Sequence, residues 1–278
     1  MSKYERYDTT CADYDGTRVP IGVEILLGCL ASGRKPLSDM AVLDAGCGTG
    51  SYALAVVDKV GRVDLLDISD GMLSRARAKL ADRAADGRAA FHNGRIDAMP
   101  FADESFDAVM FNQVLHHLAD GADSTFAWLS APFAEAARVV RPGGRVVVNI
   151  TSPIQIVDGF WYHDLIPDAI DAMIRIHPPL DVLEQYLRGC ELHPTGRFVP
   201  VGEVLQGDAY FNPRGPLDPA WRAGDSIWAK VAPADLAAVE ARVHEMDGAG
   251  TLDTYWAAHD AKRETVGQTT FVSARKSR

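Results

Sequence analysis

Between residues 40 and 150, short runs of consecutive apolar residues alternate with longer stretches whose apolar positions recur every three or four residues. Consecutive βαβ units around a parallel sheet produce this pattern. It predicts strands over 41–43, 63–67, 108–112 and 145–150, with a shorter one at 90–92. Each reads as a continuous run buried on both faces, as parallel strands covered by helices must be. Ser69 is placed to cap a helix whose Met72, Ala76, Leu80 and Ala84 share one face. Another helix is expected from Ser130, with Pro132 tolerated in its first turn, and it stops before Pro142-Gly143-Gly144, which feeds the fifth strand.

After residue 150 the alternation fails. Residues 154–187 read as helical, 196–201 as strand-like, a Pro-rich stretch runs to Pro233, and 268–274 restores a strand. Trp161, Trp221, Trp228 and Trp256 all fall in this half, so large apolar area is concentrated outside the regular sheet. We read it as a cap over a pocket, with a self-contained second core as the alternative. The expected organisation is an N-terminal helical lid over 1–36, a ligand-binding core over 37–151, and cap insertions with the last strands over 152–278.

Composition narrows the partners. A chain of 278 residues with 47% hydrophobic and 24% charged residues is an ordinary globule. A net charge of -10, with Lys and Arg scattered singly, argues against nucleic acid. Apolar stretches such as 21–30 are too short to span a bilayer and the N-terminus is polar, so no membrane role and a cytoplasmic location are expected. Cys11, Cys29, Cys47 and Cys190 lack the spacing of a zinc knuckle or redox pair; they are read as packing residues, and no metal is expected. Monomer and homodimer both stay open.

The candidate chemistry begins at Val42-Leu43-Asp44-Ala45-Gly46-Cys47-Gly48-Thr49-Gly50, a buried strand running into a glycine turn that opens a helix. Glycines at 46, 48 and 50 permit a sharp turn and a close ligand approach to the main chain. The dinucleotide fingerprint needs a glycine where Ser51 stands, and no Lys follows to make a phosphate loop, so NAD and nucleoside triphosphates are disfavoured.

The D-x-G-x-G-x-G of Asp44 to Gly50 resembles the first motif of class I, Rossmann-like S-adenosylmethionine-dependent methyltransferases, of the ubiquinone-biosynthesis and small-molecule kind. Further landmarks follow in order at Asp67, at Gly94-Arg95-Ile96-Asp97-Ala98, at Phe106 to Leu118 and at Arg141 to Gly144, covering about residues 40–150. The resemblance implies an α/β sheet of order 3-2-1-4-5-7-6 with a final antiparallel strand, and a cap inserted after strands 5 and 6. It implies S-adenosylmethionine as cofactor and S-adenosylhomocysteine as product. It makes Asp67 the acceptor of both ribose hydroxyls and Asp97, beside Ala98, the partner of the adenine amino group, with Ile68 and Met72 flanking the ring. Cys47 and Asn112 complete the core set, and Tyr14 and Arg18, near Tyr7, belong to a helix folding over the cofactor.

Methyl transfer is an in-line displacement that requires alignment and exclusion of water, and a base only for some acceptors. His116 and His117 follow the fourth strand and are the candidate bases. Neighbours on a helical turn diverge by about 100°, so one of the two is expected to face the pocket, and His117 is preferred. Trp161, Tyr162, His163, Tyr210 and Trp228, with Asp158 and Glu203 as further candidates, would receive a small acceptor with an apolar or aromatic body. Rival readings are a protein of the same fold that binds the sulfonium for non-methyl chemistry, an NAD-dependent oxidoreductase, and arsenite methylation by converging cysteines.

Overall fold

The computed structural model describes residues 18–33, 35–119 and 125–277. Among them seven strands form one sheet, ordered β3-β2-β1-β4-β5-β7-β6. They are β1 Ala41–Ala45, β2 Arg62–Asp67, β3 Ala89–Asn93, β4 Phe106–Asn112, β5 Val140–Ile150, β6 Leu192–Phe198 and β7 Thr270–Lys276. Strands β1 to β5 are mutually parallel, and β7 lies antiparallel between β5 and β6.

The continuous apolar runs become strands because both faces are covered. Val42, Ala108 and Met110 pack on one side with helices Val23–Ala31 and Ser51–Val56. Leu43, Val109 and Phe111 pack on the other with helices Ser130–Val139 and Leu180–Gly189. A third cluster, from Ile156 and Trp161 to Val243 and Leu252, is the core of the segments inserted after β5 and β6. No helix of the described residues is long and apolar enough to cross a membrane.

Three local expectations shift. Ser69 does cap its helix, accepting from the Met72 amide at 3.3 Å. That helix ends at Lys79, however, and after Leu80 leaves helical geometry a separate short helix, Ala81–Ala85, follows. Strand β5 starts at Val140 and carries Pro142-Gly143-Gly144 within it, where the pairing with β4 is irregular between Phe106 and Ala108. Gly144 fits there because a Cβ would lie 2.7 Å from the Asp107 carbonyl. Strand β6 spans 192–198 rather than 196–201, and its Pro194 is tolerated because the strand is an edge with an irregular register at that point.

Candidate active site

The strand order reverses between β1 and β4, which opens a crevice at the carboxyl ends of the parallel strands. A cavity of about 270 Å³ lies there, walled by the loops that leave all five of β1 to β5 and by the cap. The turn after β1 is pinned to the next strand, since the Gly46 and Cys47 amides both donate to the Leu66 carbonyl at 2.7 and 3.0 Å. Gly46 has φ +78°, and a Cβ on it would sit 2.3 Å from a Val114 methyl, so only glycine lets the β1 and β4 loops meet. Gly50, expected among the cofactor residues, does not line the cavity. A Cβ there would crowd Leu65, Ala76 and Leu80 at 3.1–3.2 Å, so this glycine brings the helix against the sheet.

Two carboxylates dominate the electrostatics. Asp44 is 1% exposed, receives a long 3.4 Å hydrogen bond from Asn112 Nδ2, and has no partner for Oδ2. Burial first, then the nearby Asp67 charge, pushes its carboxyl up to about 7 against the Asn112 bond. Asp67 accepts from the Gly48 amide at 2.8 Å and the Ser69 amide at 2.9 Å. Burial raises its pKa as well, and these amides hold it down. An orphaned buried carboxylate oxygen on a cavity wall calls for a cation or a donor. Beside it Gly48 leaves open space where a side chain would be.

The remaining expected cofactor positions divide. Cys47, Ile68, Met72, Asp97, Asn112 and Arg18 all line the cavity. Asp97 is gripped by Arg95 through two bonds of 2.8 and 2.5 Å, which hold its carboxyl below the usual range. Arg18 pairs with Asp225 of the cap at 2.9 Å. Ala98 is exposed and off the cavity, because the loop turns away at the Arg95–Ala98 bridge. Tyr14, Tyr7 and Cys11 lie outside the described residues. Of the described cysteines, Cys47 lines the cavity and Cys29 and Cys190 do not, so they cannot converge as arsenite chemistry requires. Burial and the Asp44 and Asp67 charges raise the Cys47 thiol far above its ordinary value.

Both histidines after β4 line the cavity, where one was expected. The turn Leu115–Leu118 is a 3₁₀ segment, and His116, His117 and Leu118 of it line the cavity. His117 is near enough to Asp67 to draw that carboxyl's pKa down, whereas His116 stacks on His177 with centroids 4.5 Å apart. His163 also borders the cavity, as expected; His177 and Asp225 border it without any sequence signal to mark them.

The aromatic expectation is corrected. Trp161, Tyr162, Tyr210 and Trp228 do not line the main cavity, and they are 0%, 0%, 0% and 8% exposed. They pack on one another, with Trp228 stacked on Tyr162 at 5.8 Å. Three of the four polar ends are satisfied inside the cluster: Trp161 Nε1 donates to the Tyr210 carbonyl, Tyr162 to Asp225, and Tyr210 to Asp260, while Trp228 Nε1 is buried without a partner. The space left beside Tyr162 and Trp221 is about 10 Å³, room for no more than a water. Asp158 and Glu203 are likewise structural, pairing with Lys262 and with the Gly22 amide at the start of helix Val23–Ala31. Trp161→Ala is therefore expected to cost about 3–5 kcal/mol in urea unfolding while shifting cofactor affinity less than about twofold. Lost affinity at unchanged stability would put Trp161 back on the cavity wall.

With this geometry in view, the comparisons with known proteins agree. Residues 43–148 match the family model described as a methyltransferase domain. The chain is 29% identical over 167 residues to the ubiquinone/menaquinone biosynthesis C-methyltransferase of Pasteurella multocida, covering 52% of this chain and 59% of that protein. It thus spans less than two thirds of that relative's length. Among solved structures, a candidate methyltransferase from an antibiotic biosynthesis pathway of Anabaena variabilis superposes with TM-score 0.69 at 18% identity, covering 92% of this chain and 98% of that one. The geranyl diphosphate C-methyltransferase of Streptomyces coelicolor, solved with S-adenosyl-L-homocysteine, does so with TM-score 0.53 at 15% identity, covering 91% and 74%. Residues 43–148 thus match a methyltransferase domain, and the sheet order and the overall superposition are those of the methyltransferase fold.

Proposed function

We propose that this chain transfers a methyl group from S-adenosylmethionine to a small organic acceptor with an apolar or aromatic body. The observation that carries the reading is the unpartnered Asp44 Oδ2, buried at the glycine turn on the wall of the cavity. The cofactor would supply an electrophilic methyl on a sulfonium, and its ammonium would satisfy the Asp44 carboxylate, with Asn112 beside it. Asp67 would take the ribose hydroxyls and the Arg95-held Asp97 the adenine amino group, between Ile68 and Met72. Ile156, Phe160, Met173, Leu205 and Ile227 line the remaining space and suit an apolar acceptor body while displacing water. The Pasteurella relative is named as a C-methyltransferase of ubiquinone and menaquinone biosynthesis.

Incubation with S-adenosylmethionine and a panel of quinols, phenols and indoles, followed by mass spectrometry, should yield S-adenosylhomocysteine in step with a product heavier by one methylene. Micromolar binding of the cofactor without consumption across the panel would favour the non-methyl reading. Absence of binding by either sulfur ligand, with NADH binding instead, would overturn the proposal.

A further inference from the structure

We infer that the acceptor half of the cavity selects a protic acceptor, one whose apolar body carries an O–H or N–H that donates to the unpartnered Nε2 of His163, with His177 a second neutral acceptor on the same cavity. This rests on the methyl-transfer reading and names the substrate class for it. His163 Nδ1 donates to the Ile156 carbonyl at 2.6 Å, and His177 Nδ1 to the Met173 carbonyl at 2.9 Å. A carbonyl oxygen can only accept, so each Nδ1 carries the ring proton and each neutral ring keeps its lone pair on Nε2.

Both rings border the same cavity. His163 Nε2 is buried without a partner. Buried polar atoms are nearly always satisfied, and one left open beside a cavity is an acceptor waiting for a donor. The rings are acceptors and not cations, because burial lowers both pKa values to about 4. The ring of His116 lies 4.5 Å from that of His177, at 24° to it, and a charge on either would be opposed by the other. The one buried carboxylate nearby, Asp225, is already engaged by Arg18, Tyr162 and Gln206, so it does not compete for the ligand's proton. An anionic headgroup finds no donor in these two imidazoles, and a plain hydrocarbon leaves them unsatisfied.

The test is titration of the S-adenosylhomocysteine-saturated protein with 1-naphthol and, separately, with 1-methoxynaphthalene, which has the same body without the donor. Naphthol should bind about 5- to 10-fold more tightly than the ether, the scale of one well-placed neutral hydrogen bond. His163→Phe, which keeps a ring and removes the lone pair, should bring that ratio close to one, and His177→Phe should lower it less, with circular dichroism reporting that each is folded. Long-range proton–nitrogen spectra of histidine-labelled wild-type protein should show unprotonated Nε2 at both residues, displaced when naphthol is added. Equal binding of ether and naphthol, no binding of naphthol, or Nε2–H tautomers would overturn the inference. If S-adenosylhomocysteine itself fails to bind, the methyl-transfer reading falls, and the same naphthol pair titrated into the cofactor-free protein still decides the histidine contact.

Discussion

Asp44→Asn is expected to weaken S-adenosylmethionine binding by about 2–4 kcal/mol, roughly 30- to 700-fold in Kd, and yet to stabilise the cofactor-free protein above neutral pH. Both effects come from one buried carboxyl. Its folded pKa of about 7 stands above the ordinary 3.8. Between those values the folded chain holds a proton that the unfolded chain has released, so stability declines as pH rises from 4 to 7. Asn removes that decline, worth up to about 4 kcal/mol for a shift of three units. In the wild type, binding a cation requires the carboxyl to ionise. Affinity should therefore fall by up to about tenfold per pH unit below 7, with a proton released on binding. Calorimetric titrations at pH 6 and 8 in buffers of different ionisation enthalpy, with melting curves beside them, check both signs. A wild-type affinity that is flat between pH 6 and 8 would remove Asp44 from the cation's surroundings.

Asp67→Ala should cost about 1.5–3 kcal/mol in affinity for S-adenosylmethionine and S-adenosylhomocysteine alike, the range for hydrogen bonds to a charged group. The side chain also accepts the Gly48 and Ser69 amides and so joins the two loops that leave β1 and β2. Methylthioadenosine, which has the ribose and adenine but no amino acid, separates the two carboxylates. Its Kd should rise in Asp67→Ala and stay unchanged in Asp44→Asn. The reverse result would exchange the assignments of the two ends of the cavity.

The parts of this molecule that could be read before its structure are those whose cause is local. Continuous apolar runs become strands wherever helices cover both faces, and the runs ending in Ala45, Asp67 and Asn112 do so. The spacing of Asp44, Gly46 and Gly48 marks a turn that a ligand can approach, because the backbone demand lies within a few residues. Gly50 packs the helix against the sheet, and a glycine needed for that contact looks the same in sequence as one needed for a ligand. The aromatic residues of the cap pack on one another, which composition does not foretell: it records how much apolar area must be buried, not whether its neighbour will be a ligand or another ring.

The acceptor wall could be read only in part: His116, His117 and His163 were candidates from the sequence, and His177 and Asp225 carried no signal. His177 sits after helix Pro167–Ile174, His163 in the turn before it, and His116 on the far side of the β4 crevice. No periodicity links them. The parallel strands and the glycine turn with Asp44 beside it were legible locally, because strand burial and turn geometry depend on neighbouring residues. Tertiary structure alone decided that four histidines border one cavity while four aromatics fold away from it, because helix facing and long-range packing set which side chains meet.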